Sequence, residues 1–243
     1  MNNSLIVIPV RMASKRFPGK PLVDICGKSM IYRVWERAVK SKVGDVLVAC
    51  CDKEVVEYLK INKIKYVNTK KNLKSGTDRV YDAMRIAGKL KSYKYVINLQ
   101  GDLPNINPAH IRKLSSHIKK NKSEIVTLAT KIKDNKKIKD KNIVKVAVSK
   151  NNKAHKAIFF SRAAIPYNSP SYYEHVGIYA YDIAILERFI ALKQGALEKL
   201  ESLEQLRALE NRINIDVSII NKAPHSIDTP IDLKNYLNST KNN

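Results

Sequence analysis

The sequence contains few cysteines, and their spacing supports neither a disulfide framework nor a zinc site. Its 243 residues include three cysteines, Cys26, Cys50 and Cys51, two of which are adjacent, and no C-x-x-C pair is present. Disulfide scaffolds and structural zinc sites both require more cysteines at regular spacings. We therefore interpret these residues as ordinary thiols.

Long apolar stretches are also missing from the N-terminal region. Residues 5–10 are apolar, but Pro9 interrupts this run, which is too short for a signal sequence or a membrane span. The residues before it form no basic segment. We expect a cytoplasmic protein without membrane insertion.

Acidic residues are scarce relative to basic ones. The 22 Asp and Glu against 45 Lys and Arg give a formal net charge of +23, which would attract phosphates, nucleic acid or an anionic membrane. Many lysines lie in Lys/Asn stretches such as residues 70–74, without interleaved aromatic residues that could stack on bases. We prefer codon bias as the explanation and expect no nucleic-acid partner. A basic nucleic-acid-binding protein is the alternative from a different functional class.

Apolar runs alternate with segments of helical period in the first half of the chain. Residues 5–10, 46–50 and 95–99 are apolar and rich in β-branched side chains, which predicts buried strands. Between the first two, apolar residues such as Met30 and Val34 recur at steps of three and four, as on one face of a helix. This alternation predicts an α/β fold with a mostly parallel central sheet.

Strand-like runs follow one another more directly in the second half of the chain. Strands are predicted over residues 125–129, 144–148, 157–160 and 176–181. A leucine-rich helix is predicted over residues 197–209. We expect residues 1–243 to form a single domain. Its core takes in approximately residues 1–125 and 215–243, and residues 126–214 form a smaller antiparallel lobe.

A basic loop follows the first predicted strand directly. It reads R-M-A-S-K-R-F-P-G-K-P-L from Arg11 onwards, with a Pro-Gly turn inside it. Backbone amides around Ala13 and Ser14 could donate to phosphate oxygens, while Arg11, Arg16 and Lys20 could neutralise phosphate charge. The loop matches neither a Walker sequence nor G-x-G-x-x-G, so kinase and dehydrogenase functions lose their main support. A solvated basic loop is the alternative, but the position after a buried strand favours a triphosphate site.

Two aspartates are placed where they could hold a metal ion. Asp102 follows the third predicted strand in N-L-Q-G-D-L-P, at the sheet edge where open α/β folds bind ligands. Asp228 lies in I-D-T-P-I-D-L, before a predicted C-terminal helix. Two carboxylates, with phosphate oxygens and waters, meet the octahedral demand of Mg²⁺. Alternatively, Asp102 caps a turn and Asp228 is the N-cap of the helix.

Several segments of this chain resemble the bacterial CMP-Kdo synthetases, a family within the nucleotidyltransferases of sugar activation; Kdo is 3-deoxy-manno-octulosonate. R-x-x-S-x-R-x-P-G-K-P-L is similar to the N-terminal signature of that family, and four further segments resemble it in the same order. These are S-G-T-D-R at 75–79, S-R-A-x-I-P at 161–166, H-x-G-I-Y-x-Y at 175–181 and L-E-x-L-E-Q-L-R at 200–207. The resemblance covers nearly the whole chain.

The resemblance implies a Rossmann-like nucleotide-diphospho-sugar transferase fold, a Mg²⁺ cofactor, the substrates CTP and Kdo, and a homodimer. It implies that Lys20, Asp102 and Asp228 are catalytic, with both aspartates on Mg²⁺. Nucleotide-binding roles are implied for Arg11, Ser14, Arg16, Lys20, Ser75, Gly76 and Arg79. Without the resemblance, S-G-T-D-R is a common helix start in which Thr77 or Asp78 could be the N-cap.

Sugar-binding roles are implied for Gln100, Arg162, His175, Tyr179, Glu201, Glu204 and Gln205. An acid sugar needs a cation for its carboxylate and partners for its hydroxyls. The spacing of Glu201, Glu204 and Gln205 places all three on one helical face. Without the resemblance, Arg162 is an ordinary surface or ion-paired residue, His175 is a strand-edge histidine, and the Glu/Gln stripe is a solvated helix face.

The chain departs from the family at one position of the segment that contains the predicted metal ligand Asp102. The family carries Q-G-D-E-P, and Leu103 stands here in place of the glutamate. The predicted metal ligand remains, but the lost acid alters the charge around it. An inactive relative is therefore kept as an alternative. An enzyme acting on an 8-amino analogue of Kdo is a separate alternative, because few side chains read a single substituent of the sugar.

Overall fold

The computed structural model describes residues 3–14, 16–150 and 155–241. The chain divides into two compact units, which are described separately. The first unit comprises Met1–Arg112 and Pro224–Asn243, and the second comprises Lys113–Ala223. In the described residues, no helix combines the length and apolar character needed to cross a membrane.

The first unit is built around four parallel strands. Its elements are β1 (Ser4–Pro9), β2 (Asp24–Ile25), β3 (Lys28–Ser29), α1 (Met30–Lys40), β4 (Asp45–Cys50), α2 (Lys53–Ile61), β5 (Tyr66–Asn68), α3 (Gly76–Ile86) and β6 (Tyr95–Asn98). The strand order is β5-β4-β1-β6, and each neighbouring pair is parallel. The apolar runs predicted as strands at 5–10, 46–50 and 95–99 correspond to β1, β4 and β6, which confirms those three strands.

Helix α1 illustrates how the sequence determines an element of this unit. Ser29 is its N-cap, and the serine hydroxyl accepts a hydrogen bond from the Tyr32 N–H. Met30, Val34 and Ala38 are fully buried, as their three- and four-residue spacing predicts. The apolar face therefore packs inward, while the cap supplies one of the hydrogen bonds that the helix start lacks.

The C-terminal segment belongs to the first unit. Helix α4 (Pro108–Asn121) includes the boundary between the units, and α9 (Pro230–Lys241) follows the return of the chain. Ile227 and Tyr236 pack with Ile25 and Met30 in one buried cluster. This packing fixes the segment that contains Asp228 to the start of the chain.

The second unit contains a mixed sheet. Its elements are β7 (Ile125–Lys131), α5 (Asn135–Lys139), β8 (Lys145–Lys150), β9 (His155–Ser161), β10 (Tyr173–Asp182), α6 (Ile183–Ala191), α7 (Ala196–Glu201), α8 (Leu206–Glu210) and β11 (Ile215–Ile220). Strand β7 pairs antiparallel with β10 and parallel with β11, while β9 pairs antiparallel with β11 and β8. Because β11 pairs with β7 and β9, residues 215–223 belong to this unit rather than to the core segment expected from the sequence.

The prediction of one continuous helix over residues 197–209 is wrong. Helix α7 ends at Glu201, its C-cap Ser202 adopts a left-handed conformation with φ 53°, and α8 starts at Leu206. The Leu203 N–H donates to the Glu198 carbonyl, the hydrogen bond that closes a helix end of this type. Both Leu203 and Leu206 are buried, and their burial stabilises the break. Glu201 therefore does not share one helical face with Glu204 and Gln205.

Candidate functional site

A cavity of about 320 Å³ in the first unit lies where the parallel strands β1 and β6 end. The carboxyl edge of a parallel sheet is the usual ligand site of open α/β folds. Its lining residues are Pro9, Val10, Arg11, Ser14, Arg16, Lys20, Pro21, Leu73, Ser75, Gly76, Arg79, Gln100, Gly101, Asp102 and Asp228. All of the predicted nucleotide-binding residues and both predicted metal ligands therefore line one cavity.

Lys20 joins the two aspartates of this cavity. Its Nζ lies 2.9 Å from Asp102 Oδ2 and 3.2 Å from Asp228 Oδ1, and Arg16 Nη2 lies 3.0 Å from the same Asp228 oxygen. The Lys20 side chain is only 14% exposed, against 63% for Arg16, so screening by water is weaker around Lys20. The two carboxylates thus face one cation-sized position.

The electrostatics of Asp102 follow from its surroundings. Burial raises the pKa of Asp102, the positive charge of Lys20 opposes that shift, and the negative charge of Asp228 adds to it. A second cation close to both carboxylates would favour the ionised form of Asp102. The part of the cavity beside Asp102 and Asp228 is thus suited to a cation.

The segment around Asp228 resolves one alternative for that residue. Thr229 and Asp232 cap the start of α9 reciprocally: the Asp232 N–H donates to Thr229 Oγ1, and Asp232 Oδ2 accepts from the Thr229 N–H and from the Asp228 N–H. The interpretation of Asp228 as a helix N-cap is therefore wrong. Its carboxylate faces Lys20 and Arg16 instead.

The basic loop after β1 closes on itself. The Met12 carbonyl accepts from the Ser14 N–H at 2.8 Å and from the Gly19 N–H at 3.1 Å. Gly19 has φ 75°, a left-handed conformation that glycine adopts at little cost, and it precedes the single 3-10 turn of Lys20–Leu22. The Ser14 amide was expected to donate to phosphate, but in this structure it donates to the Met12 carbonyl instead.

The start of α3 forms another wall of the cavity. Ser75, rather than Thr77 or Asp78, is the N-cap, because its hydroxyl accepts from the Asp78 N–H at 3.0 Å. Arg79 is buried, and its Nη1 donates to Thr69 Oγ1 and to the Lys70 carbonyl. Arg79 therefore also holds the segment that precedes the cavity residue Leu73.

Gly101 is a lining residue that the sequence reasoning missed. A Cβ atom added to Gly101 would lie 2.7 Å from Val10 Cγ1 and 3.2 Å from the Pro9 carbonyl oxygen. No side chain fits there without movement of the end of β1, so glycine is required where the segment after β6 closely approaches the end of β1. The flanking sequence Q-G-D was the available signal, since a glycine beside a site acid indicates a tight backbone.

Gln100 is the one predicted sugar-binding residue that belongs to the first unit. Its Nε2 donates to Asn98 Oδ1 at 3.1 Å, and Asn98 Nδ2 donates to Thr77 Oγ1 at 3.3 Å. This chain of side-chain hydrogen bonds fixes the Gln100 amide at the cavity wall. The other predicted sugar-binding residues lie in the second unit.

Arg162 is held by backbone carbonyls of the second unit. Its Nε donates to the Glu201 carbonyl at 3.0 Å, and its Nη1 donates to the Lys141 carbonyl at 3.1 Å. Both carboxylate oxygens of Glu201 are engaged as well, with Ser161 Oγ at 2.6 Å and the Arg162 N–H at 3.0 Å. In this arrangement, Glu201 fixes the end of β9 instead of presenting acceptors for a ligand.

A fully buried lysine supports the same region. Lys145 Nζ donates to the carbonyls of Asp140, Ile143 and Arg162, and its side chain is among the largest fully buried ones of the protein. Burial lowers the pKa of Lys145, while the negative charge of Asp140 opposes that shift. This role was not predictable from the sequence, because an isolated strand lysine is normally solvated.

His175 and Tyr179 lie on β10 in an aromatic group. The His175 ring lies 5.0 Å from the Phe160 ring and 5.5 Å from the Tyr179 ring, and its Nε2 lies 3.0 Å from Thr127 Oγ1. Burial lowers the pKa of His175 to about 3 and raises the pKa of Tyr179 well above its ordinary value. Both side chains are therefore neutral near pH 7 and suited to hydrogen bonds with uncharged groups.

Glu204 and Gln205 lie in the turn between α7 and α8. Glu204 Oε1 is 3.7 Å from Arg207 Nη2, and Arg207 also pairs with both oxygens of the buried Glu198. Gln205 is 9% exposed. These residues form a polar, largely buried turn.

The ligand set for a divalent cation is incomplete from side chains alone. Across the ranges that the structure describes, no group of three or more His, Cys, Asp or Glu residues could hold a metal ion. Leu103 is 5% exposed and apolar, so it contributes no ligand. A cation at Asp102 and Asp228 would depend on oxygens from a bound substrate and from water.

Comparison with known proteins gives consistent results over nearly the whole chain. Residues 5–215 match a family described as cytidylyltransferase. The chain is 40% identical over 232 residues to a 3-deoxy-manno-octulosonate cytidylyltransferase of Paramagnetospirillum magneticum, covering 95% of this chain and 94% of the relative. It is 42% identical over 231 residues to the protein of the same description from Sinorhizobium medicae, covering 95% and 92%.

A solved structure agrees with these sequence relatives. CMP:2-keto-3-deoxy-manno-octonic acid synthetase, in complex with CTP, superposes with a TM-score of 0.91 at 35% identity, and the match covers 98% of both chains. The α/β nucleotidyltransferase-like fold expected from the sequence is therefore confirmed.

Proposed function

Because this chain belongs to the cytidylyltransferase family, among the 3-deoxy-manno-octulosonate cytidylyltransferases, we propose that it transfers CMP from CTP to Kdo. The products are CMP-Kdo and pyrophosphate, and CMP-Kdo serves lipopolysaccharide synthesis. The observation that carries this proposal is the cavity of the first unit, where three cationic side chains of one loop and two aspartates from distant segments converge.

The reaction is an in-line displacement at phosphorus. The anomeric 2-hydroxyl oxygen of Kdo forms a bond to the α-phosphorus of CTP as the bond between the α-phosphorus and its bridging oxygen breaks, and the hydroxyl proton passes to solvent. Pyrophosphate leaves with the negative charge that develops on that bridging oxygen. Arg11 and Lys20, both lining the cavity, stabilise that charge, and no covalent intermediate with the protein is required.

Asp102 and Asp228 are the proposed ligands of Mg²⁺. The fit is supported by their common approach to Lys20 Nζ, since the two carboxylates lie 2.9 and 3.2 Å from one ammonium. When bound, Mg²⁺ would orient the α-phosphate and lower the charge on the phosphate oxygens. The Lys20 ammonium, no longer required by the carboxylates, would then be available to phosphate oxygens of the leaving group.

Nucleotide binding is assigned to the loop and to the α3 start. Arg11, Ser14 and Arg16 border the side of the cavity formed by the loop after β1, while Ser75, Gly76 and Arg79 border the α3 side. Cations from the loop suit the triphosphate, and the small residues at the α3 start permit close approach of cytidine.

Sugar binding is assigned to Gln100 and to the second-unit residues Arg162, His175, Tyr179, Glu204 and Gln205. A guanidinium suits the Kdo carboxylate, and the neutral His175 and Tyr179 suit its hydroxyls. Glu201 was expected to contact a hydroxyl, and its three hydrogen bonds with the end of β9 support a positioning role instead.

We also propose that the protein is a homodimer in the cytoplasm. Apolar side chains of the second unit are strongly exposed, with Tyr167 at 96%, Leu200 at 81% and Ile158 at 60%. Exposed apolar residues of this kind are compatible with a surface that associates with a second copy. Light scattering after size exclusion would give about twice the 27.6 kDa chain mass for a dimer, whereas the chain mass itself would contradict it.

The decisive test is pyrophosphate release from CTP with Kdo and Mg²⁺. Reactions without sugar and with 8-amino-Kdo serve as controls. Kdo-dependent release supports the proposed activity. Release only with 8-amino-Kdo would identify that analogue, instead of Kdo, as the substrate. No release with either sugar, together with salt-sensitive binding of DNA or RNA, would favour a nucleic-acid-binding protein.

A further inference from the structure

Met12 is the residue on which the basic loop closes. Its carbonyl accepts hydrogen bonds from Ser14 and Gly19, which brings the first and last parts of the loop together. Arg11 precedes it and Lys20 follows Gly19, so the position of Met12 governs where both cations enter the cavity. Whatever holds the Met12 peptide group therefore controls the loop.

The Met12 N–H donates to a carboxylate outside the loop. Its partner is Asp52 Oδ2 at 2.8 Å, and the Cys51 thiol lies 3.6 Å from the same oxygen. Asp52 follows β4, the neighbour of β1 in the parallel sheet, and it is absent from the residues that line the cavity of the first unit. Its contact with the site is therefore through the loop.

Asp52 occupies a helix N-cap position without capping the helix. It has φ −102° and ψ 133° at the start of α2, but its side chain makes no capping hydrogen bond. Asp182, the N-cap of α6, shows the ordinary behaviour, with Oδ1 accepting from the Ala184 N–H at 3.0 Å. An aspartate at this position normally stabilises its helix. At Asp52 the carboxylate contacts the loop instead.

From this geometry we propose that Asp52 is a positioning residue for the triphosphate of CTP, an inference that rests on the function proposed above. Its carboxylate holds the Met12 N–H through a hydrogen bond with a charged acceptor, which is stronger than one between neutral groups. Met12 in turn holds Ser14 and Gly19, so Arg11, Ser14 and Lys20 face the cavity before CTP arrives. A loop ordered in advance loses less entropy when the triphosphate binds.

The test compares Asp52→Ala with Asp182→Ala by calorimetric titration of CTP and of cytidine. Asp182→Ala removes a true helix cap and controls for a loss of stability alone. We expect the Kd for CTP to rise about tenfold in Asp52→Ala, equivalent to about 1.4 kcal/mol, and less than about twofold in Asp182→Ala. Cytidine lacks phosphates, so its Kd should be unchanged in both variants. The KM for Kdo should also be unchanged in Asp52→Ala.

A second variant keeps the test decisive if Asp52→Ala does not fold. Asp52→Asn retains an oxygen acceptor without the charge, and the Kd for CTP should rise about threefold, between the wild-type and Asp52→Ala values. Equal CTP affinities in wild type and both Asp52 variants would overturn the role of Asp52, as would an equal loss of CTP and cytidine binding. If the wild-type protein itself bound no CTP, the proposed function would fail first.

Discussion

The ammonium of Lys20 lies 2.9 Å from the carboxylate of Asp102, so a residue of the basic loop is paired with the aspartate that follows β6. Asp228 joins the same ammonium at 3.2 Å. The loop and the acid segments are therefore electrostatically coupled, and a change in one alters the other. The first two predictions follow from this coupling.

Asp102→Asn should lower the rate of CMP transfer by at least about a hundredfold, because it removes the charge of the proposed Mg²⁺ ligand while keeping the shape of the side chain. The fold should persist, since the amide can still accept from Lys20. Pyrophosphate release and circular dichroism measure the two effects. Asp24→Asn, a change at an exposed residue of β2, is the control. Unchanged turnover in folded Asp102→Asn would contradict the role of the carboxylate.

Lys20→Met should tighten the binding of Mn²⁺ to the nucleotide-free protein by about tenfold, because Asp102 and Asp228 lose the cation that neutralises them. The same change should weaken CTP binding, since a phosphate cation is lost. Electron paramagnetic resonance of free Mn²⁺ reports the first effect, and titration with CTP reports the second. Lys28→Met, which breaks the more exposed pair with Glu36, is the matched control. Weaker Mn²⁺ binding in Lys20→Met would contradict a shared cation position.

The cavity was largely predictable because its residues follow strands in short, distinctive segments. Arg11 comes directly after an apolar run and Asp102 shortly after another, and parallel strands bring their carboxyl ends to one edge. The break at Ser202 was not predictable, because the leucine spacing of residues 197–209 satisfies a helical period and no proline or glycine interrupts it. Tertiary burial of Leu203 and Leu206 overrides that local pattern.

Roles that depend on long-range contacts could not be predicted from the sequence either. Asp52 has the residue type and the position of a helix cap, and only the fold brings its carboxylate to Met12. Lys145 reads as a solvated strand residue, and only the fold surrounds its ammonium with carbonyls. In both cases the partner is chosen by tertiary packing rather than by local spacing.

Asp216 should contribute to stability at neutral pH and lose that contribution in acid. Burial alone would raise its pKa, but hydrogen bonds with His117 and Ser123 outweigh burial and hold the pKa of Asp216 below its usual range. A carboxyl whose pKa is lowered by folding stabilises the protein above its unfolded pKa, about 3.9, and this contribution disappears as the pH falls through the lower folded value.

Asp216→Asn should accordingly flatten the dependence of the unfolding free energy on pH below about pH 4. Urea unfolding at a series of pH values, with the exposed Asp24→Asn variant as the reference, measures the difference. Buried carboxyls such as Glu198 remain in both proteins, so the difference isolates Asp216. Parallel curves for wild type and Asp216→Asn would show that the hydrogen bonds of Asp216 do not change its proton affinity.

Lys145→Met should destabilise the second unit by about 2–4 kcal/mol, because three carbonyls lose the donor that the buried ammonium supplies while the apolar stem is retained. For a chain of this length, that loss corresponds to a fall in melting temperature on the order of 10 °C. Lys137→Met removes an ion pair with Glu174 in which the lysine is 46% exposed, and it should change the melting temperature little.

One of the carbonyls that Lys145 contacts belongs to Arg162, so Lys145→Met should also raise the KM for Kdo while leaving the KM for CTP unchanged. Similar melting temperatures for the two lysine variants would mean that water replaces the Lys145 ammonium, and the buried contact would then not order the end of β9.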